Sequence, residues 1–356
     1  MNTSVKRWVP FASVPVIAVA AAIAIPLTTN AAQDLPEKTP RELLTFVAES
    51  DVEAFSGEFT QTSDLGLPDL SALGGGGTTG DSSIAAAIME IATTSHDARV
   101  YVDADRGARL QVLDRLDERD VTATADDGLW VYDSGAKTAL HVTATGEAPD
   151  SSPTPPADVP SPSSIAEDLL GSLDETTTVA VGSTATVAGR SAYELILTPR
   201  DDTSLVGSVT VSIDGETGLP LGIAVTADDA SSPALSVAYT SIDFATPDAD
   251  LFSFTPPSDV EVTEKSVPVD GHSGAESPDD AGVSPLPGAT TTGSGWTTVV
   301  ELPAGDAAAV EGLDAVTTAV DGGRVLSSAL VTVLFTDDGR VLAGAVPLDV
   351  LEAAAR

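Results

Sequence analysis

Between Asp97 and Phe244 the chain keeps returning to one pattern: short runs in which apolar and polar residues alternate, broken by turns built from Asp and Gly. The runs cover residues 99–102, 110–112, 121–125, 129–132, 140–142, 179–187, 193–197, 206–213 and 219–225. A period of two puts successive side chains on opposite faces of a strand. Asp126-Asp127-Gly128, Asp133-Ser134-Gly135 and Asp214-Gly215-Glu216-Thr217-Gly218 have the composition of hairpin turns. Many short strands joined by tight turns require a large antiparallel sheet. A sheet of about ten or eleven strands cannot stay flat, and it curls toward a half-closed barrel.

The alternation ends in a distinctive way. Leu235, Val237 and Tyr239 alternate with Ser236, Ala238 and Thr240, after which Ile242 and Phe244 take over the apolar face. A bulge near Ser241 would produce that change of phase. A turn with Pro247, Asp248 and Asp250 leads into Phe252-Ser253-Phe254, expected to be the closing strand. Pro256 and Pro257 then end pairing, because neither has the N–H that a ladder needs.

Two helices interrupt the strands. Thr39-Pro40-Arg41-Glu42 has the form of a capping box with proline in the first turn, and Leu43, Leu44, Phe46 and Val47 follow as an apolar stripe. Ser161-Pro162 opens a second helix running to Leu173, with Ile165, Leu169 and Leu170 on one side. Both stripes need a sheet face to cover. The 64–80 loop carries Leu65, Leu67, Leu70 and Leu73 ahead of four glycines, which suits either packing on the sheet edge or an apolar flap. Residues 84–92 read as a short helix, with a buried strand as the alternative.

At the N-terminus Lys6 and Arg7 precede an apolar run from Trp8 to Leu27, followed by small residues around Thr29 and Ala31. Residues 1–32 therefore read as a signal peptide or an N-terminal membrane anchor, and either one places the rest outside the cytoplasmic membrane. Residues 258–294, rich in Pro, Gly, Ser and Asp without periodicity, read as a linker. Residues 295–356 regain a pattern: a strand at 297–302, a hairpin across Asp337-Asp338-Gly339, and a last helix opened by Pro347. They are expected to form a small α+β domain, marginal alone and suited to docking on the large one.

Composition narrows the function. With 54 acidic and 16 basic residues the net charge is −38, which argues against nucleic acid and against anionic head groups. The absence of cysteine excludes disulfides, thiol catalysis and Cys-ligated metal. His96, His141 and His272 show no metal-ligand spacing. Gly74 to Gly77 lacks the Lys-Ser/Thr of a phosphate loop, and no serine stands in a G-x-S-x-G elbow. Asp103-Ala104-Asp105 and Asp126-Asp127 read as turn chemistry, since the twelve-residue calcium loop is missing. The expectation is a protein without catalysis, cofactor or metal.

The order of these motifs resembles a known group. The 97–103 strand followed by the Asp-Gly-Leu-Trp-Val-Tyr hairpin, the 189–199 stretch, Ile213 to Pro220, and the closing F-x-F-x-P-P resemble the LolA lipoprotein carriers and the RseB/MucB envelope-stress regulators. The resemblance covers roughly residues 37 to 262. It implies a mainly β (α+β) class: a LolA-like half-open antiparallel β-barrel at 33–257 with lid helices, here followed by the small C-terminal domain. It also implies an apolar cavity for acyl chains. The candidate lining is Val121, Ala123, Ala125, Val179 and Val181 from the sheet, with Leu43, Leu44, Val47, Leu169 and Leu170 as lid. An ordinary filled core would use the same residues. The implied function is extracytoplasmic binding of a lipid or of lipoprotein acyl chains. The alternative is an RseB/MucB-like module gripping a membrane-anchored anti-sigma factor. A secreted hydrolase is disfavoured, because no nucleophile or metal set was found.

Overall fold

The computed structural model describes residues 35–67, 95–113, 118–145, 161–268, 289–303 and 316–356. The N-terminal segment at 1–32, Leu70 and Leu73 with the four glycines, the 84–92 helix and most of the expected linker lie outside these residues. Among the described residues no helix is long and apolar enough to cross a membrane.

Helix α1 (Pro40–Ala48) comes first. Strands β1 (Ala54–Ser63), β2 (His96–Asp103), β3 (Gly107–Leu113), β4 (Glu118–Thr124), β5 (Gly128–Asp133) and β6 (Thr138–Thr145) follow. After helix α2 (Pro162–Gly171) come β7 (Thr177–Val187), β8 (Arg190–Pro199), β9 (Val206–Asp214), β10 (Pro220–Ala227), β11 (Pro233–Asp243) and β12 (Glu261–Pro268). These twelve strands form one sheet in the order β12-β6-β5-β4-β3-β2-β1-β11-β10-β9-β8-β7. It does not close, and the class is the expected mainly β, half-open one. Both helices start as the sequence predicts. Thr39 accepts from the Glu42 N–H while the Glu42 carboxylate accepts from the Thr39 N–H, and Ser161 and Ser164 cap each other in the same way.

The sheet folds about β1 and β11. Pairing shifts register between Glu58 and Phe59, which face Ser241 and Tyr239, so Thr240 is the extra residue. This is the expected bulge, one position earlier, and a bulge increases local twist. The Thr240 hydroxyl donates to the Glu58 carbonyl at 3.1 Å and secures it. The Tyr239 ring lies over Gly57, where a Cβ would come within 2.7 Å of two ring carbons. Phe55 and Phe59 meet the same ring edge to face, with centroids 6.1 and 6.0 Å away. Beyond this corner the wing β11 to β7 curls until residues of β7 and β11 lie within 8 Å, Cα to Cα, although three strands separate them.

The curled wing encloses the main core. Its inner face carries Leu195, Leu197, Val209, Val211, Ile213 and Val237, all fully buried or nearly so. Helix α2 lies on β10 and β11, and α1 lies against β7. Under α2 the buried Ser163 hydroxyl donates to the Pro220 carbonyl at 2.9 Å and sits 3.4 Å from the Tyr239 hydroxyl. Burial pushes the Tyr239 phenol up to about 12.

Two expectations are corrected. Phe252 to Phe254 is not a strand: Ala249–Phe252 makes a 3-10 turn, and the chain then runs across the outer face of β3 to β5. With Pro247, Pro256 and Pro257 in this stretch a ladder cannot be sustained. Instead the Arg109 guanidinium, already paired with the buried Asp120, donates to the Leu251 carbonyl at 3.0 Å. Phe254 packs on Trp130 and Tyr132, with centroids 5.3 and 5.4 Å away. Second, Glu261–Pro268, expected within the linker, pairs with β6, and it does so in parallel.

The described residues at 290–302 and 318–344 form a six-stranded sheet, β13 (Thr290–Thr292), β14 (Val299–Leu302), β15 (Thr318–Val320), β16 (Gly323–Ser327), β17 (Thr332–Thr336) and β18 (Val341–Gly344), ordered β13-β14-β18-β17-β16-β15. Helix α3 (Leu348–Ala354) packs on it through the buried Leu351. This unit docks on the ends of β1, β7 and β9. The Leu205 N–H donates to the Ala345 carbonyl at 2.8 Å, and the Ala329 N–H donates to the Leu65 carbonyl at 2.9 Å. The Trp296 indole N–H donates to the Thr177 hydroxyl at 2.9 Å. Leu330 joins the large core.

The hairpin between β9 and β10 is held by a buried carboxylate. Asp214 accepts from the Arg190 guanidinium, from the Glu216 and Thr217 N–H groups at 3.0 and 2.8 Å, and from the Thr217 hydroxyl at 2.9 Å. Burial alone pushes this carboxyl up. The Arg190 and Thr217 hydrogen bonds outweigh it and hold the carboxyl below its usual value.

Two outcomes are expected. Gly57→Ala should lose about 1–3 kcal/mol in urea denaturation, because its Cβ would collide with Tyr239. Equal stability would mean that the ring does not rest on Gly57. Asp214→Asn should lose about 3 kcal/mol near neutral pH. A depressed folded pKa gives stability that is present above the unfolded value and lost as pH falls through the folded one. The difference between wild type and variant should therefore shrink below about pH 4. A pH-independent difference would contradict the assignment.

Candidate functional site

The inner face of the sheet can be followed strand by strand through its register. One row of facing residues is Val100, Leu110, Val121, Val131, Leu140 and Thr263, from β2 to β12. The neighbouring row is Val102, Ala108, Ala123, Leu129, Val142 and Lys265. In the first row burial falls from β2 to β5, and Leu140 beyond it is half-buried. Val100 is 1% and Leu110 4% exposed, Val121 is half-buried, and Val131 is 36% exposed. Among the described residues the packed core stops at Val121, and Leu129, Val131, Leu140 and Val142 lie beyond it.

The outer face of the same strands is filled. Trp130 stacks on His141 with ring planes 5° apart and centroids at 4.0 Å, under Phe254. The Trp130 indole N–H donates to the Asp127 carboxylate at 2.8 Å, and His141 Nε2 lies 2.8 Å from the Asp127 carbonyl oxygen. Thr122 and Asp120 are buried beside Arg109. On this outer face Arg109, paired with Asp120, and the rings of Trp130 and Tyr132 hold the 249–257 segment. The inner face of β4 to β6 carries an apolar surface about three strands wide, bordered on one side by Arg119, Asp133 and Thr138, with Arg119 and Asp133 3.8 Å apart. Such a surface discriminates by shape and apolar area. Among the described residues no three His, Asp or Glu side chains gather as a metal site.

The structure places nine of the ten candidate residues on the inner side of the sheet, in two groups, and the tenth off it. Leu43 is fully buried and Val47 9% exposed, both inside the main core, with Leu44, Leu169, Leu170, Val179 and Val181 packed half-buried against it. All seven belong to the curled wing. Val121 and the buried Ala123 belong to the other wing, next to the exposed apolar surface. Ala125 lies exposed in the turn after Thr124, off the sheet face, because the hairpin turns at 125–127 and Gly128 already begins β5. The residues that sequence reasoning missed are Leu129, Val131, Leu140 and Val142. Their strands were legible, but Trp130 and Tyr132 make the opposite face of β5 equally apolar, so alternation alone did not say which side faced inward.

No family model and no curated protein matches the chain. Among solved structures it is similar to MucB in the Pseudomonas aeruginosa MucA/MucB complex, at 18% identity over 89% of this chain and 96% of that one, TM-score 0.45. It is similar to a LolA superfamily protein from Nitrosomonas europaea, at 9% identity over 61% of this chain and 99% of that one, TM-score 0.23. A third similar structure is an outer membrane lipoprotein-sorting protein domain from Vibrio parahaemolyticus, at 9% identity over 57% and 92%, TM-score 0.21. Both branches of the expected group are represented among these similar structures.

The buried position of Val47 fixes the outcome of a charge there. Val47→Asp should lose several kcal/mol, because the carboxylate enters the core without a partner. A variant that melts like wild type would mean that α1 stands off the sheet.

Proposed function

We propose that the chain is a non-catalytic extracytoplasmic binding protein that holds a lipid, or the acyl chains of a lipoprotein, against the inner face of β4, β5 and β6. The supporting observation is the row in which burial decays from Val100 to Val131 along a continuous apolar ladder. A half-barrel that filled itself would bury this row to its end. An acyl chain laid across it gains about 0.8 kcal/mol for each methylene removed from water. The extracytoplasmic location rests on the basic and apolar N-terminal segment. A regulatory module gripping a membrane-anchored protein is the second reading. It is favoured by the small sheet, which the bonds at Leu205, Ala329 and Trp296 fix to the first as an additional rigid surface.

Titration with a fluorescent fatty acid tests the first reading. The wild type should take up the probe. Val131→Asp should weaken uptake by about tenfold or more, while stability stays within about 1 kcal/mol, since the new charge remains in contact with water. A wild type that takes up no probe, or a Val131→Asp protein that binds it normally, would sink the acyl-binding reading.

A further inference from the structure

Strand β12 is attached unlike its neighbours. Among the described strands its pairing with β6 is the one parallel pairing, and parallel ladders are slightly the less stable per residue. Its residues 261–266 are all exposed, Val262 among them at 40%. Besides the ladder it is held by the Lys137–Asp259 ion pair at 2.8 Å, with both side chains 64% exposed, and by a 3.3 Å contact between the Thr143 and Ser266 hydroxyls. Exposed ion pairs in water hold little. A strand whose side chains at 261–266 are all exposed adds little apolar burial and opens before the rest of its domain does.

The register shows what β12 fails to cover. On the inner face Thr263 sits beside Leu140, and Lys265 sits beside Val142. Those two positions extend the apolar rows, yet this chain fills them with a hydroxyl and an ammonium. A strand with apolar side chains there would bury Leu140 and Val142 in addition to making the same ladder. The edge of β6 is therefore occupied by a strand that satisfies its backbone and mismatches its side chains.

We propose that β12 is a removable latch, and that the β6 edge beneath it is the docking edge for an extended segment of a partner protein with apolar side chains at alternate positions. Main-chain pairing supplies the attachment and the apolar side chains of Leu140 and Val142 supply the selection, as in strand addition generally. A second copy of this chain is the poorer occupant. Its own β12 carries the same mismatch, and two chains of net charge −38 repel each other. The inference goes beyond acyl binding and is tested without lipid.

The probe is a fluorescein-labelled peptide of residues 259–268 carrying Thr263→Leu and Lys265→Val, titrated into the full-length protein by anisotropy. It should bind about tenfold more tightly than the peptide of native sequence. Hydrogen exchange should be fast at the β12 amides and slow in β1 and β11. Placing Thr263→Leu and Lys265→Val in the protein itself changes only exposed positions, so the main melting transition should stay in place. In that variant β12 exchange should slow and peptide binding should disappear. Slow β12 exchange in the wild type, equal binding of the two peptides, or undiminished peptide binding by the variant would overturn the proposal. So would concentration-dependent dimerisation without peptide binding.

Discussion

Everything in the large sheet depends on the contact between Tyr239 and Gly57. The ring occupies the space where a β-carbon would stand and is gripped edge-on by Phe55 and Phe59. The bulge at Thr240 gives the local twist. Together they set the corner from which β10, β9, β8 and β7 curl round. The branched and long aliphatic side chains are spent inside that curl, where Leu195, Leu197, Val211 and Ile213 leave no surface to solvent. With aromatic residues at 4% of the chain, few rings are left for the other wing. Those that stand there, Trp130 and Tyr132, face outward to hold the 249–257 segment. The half-filled inner face of β4 to β6 follows from that allocation.

Polar groups fix the ends of this arrangement and do not compete with the apolar face. Asp214 secures the β9–β10 hairpin from inside, and Asp120 with Arg109 secures the segment that leaves β11. Each buried carboxylate meets a guanidinium, which is the condition for placing a charge inside a protein at tolerable cost. Among the described residues the acidic groups other than these two and the buried Asp103 stay in contact with water.

Much of the fold was legible because alternation and capping are local. The capping box at Thr39 and Glu42, the Ser161-Pro162 start, the turns at Asp126 to Gly128, Asp133 to Gly135 and Asp214 to Gly218, and the phase change near Ser241 depend on residues within a few positions of one another. What was not legible depends on partners far along the chain. Phe252 and Phe254 read as a strand, because nothing nearby reveals that Arg109 and Trp130 will receive that segment. Glu261 to Pro268 has the composition of a linker and becomes a strand only because the β6 edge is free to pair with it. The candidate site divided in the same way. Val121 and Ala123 were placed beside the exposed apolar surface by alternation, whereas Leu43 and Val47 became core because α1 reaches β7, a contact that no local pattern encodes.

The most direct measurement is mass spectrometry of the organic extract from the natively purified full-length protein. If the inner face of β4 to β6 holds acyl chains, the extract should contain long-chain acyl species at near one equivalent per protein, and the Val131→Asp protein prepared in parallel should lack them. An extract without acyl species, or one equally rich in both preparations, would contradict acyl binding on that face.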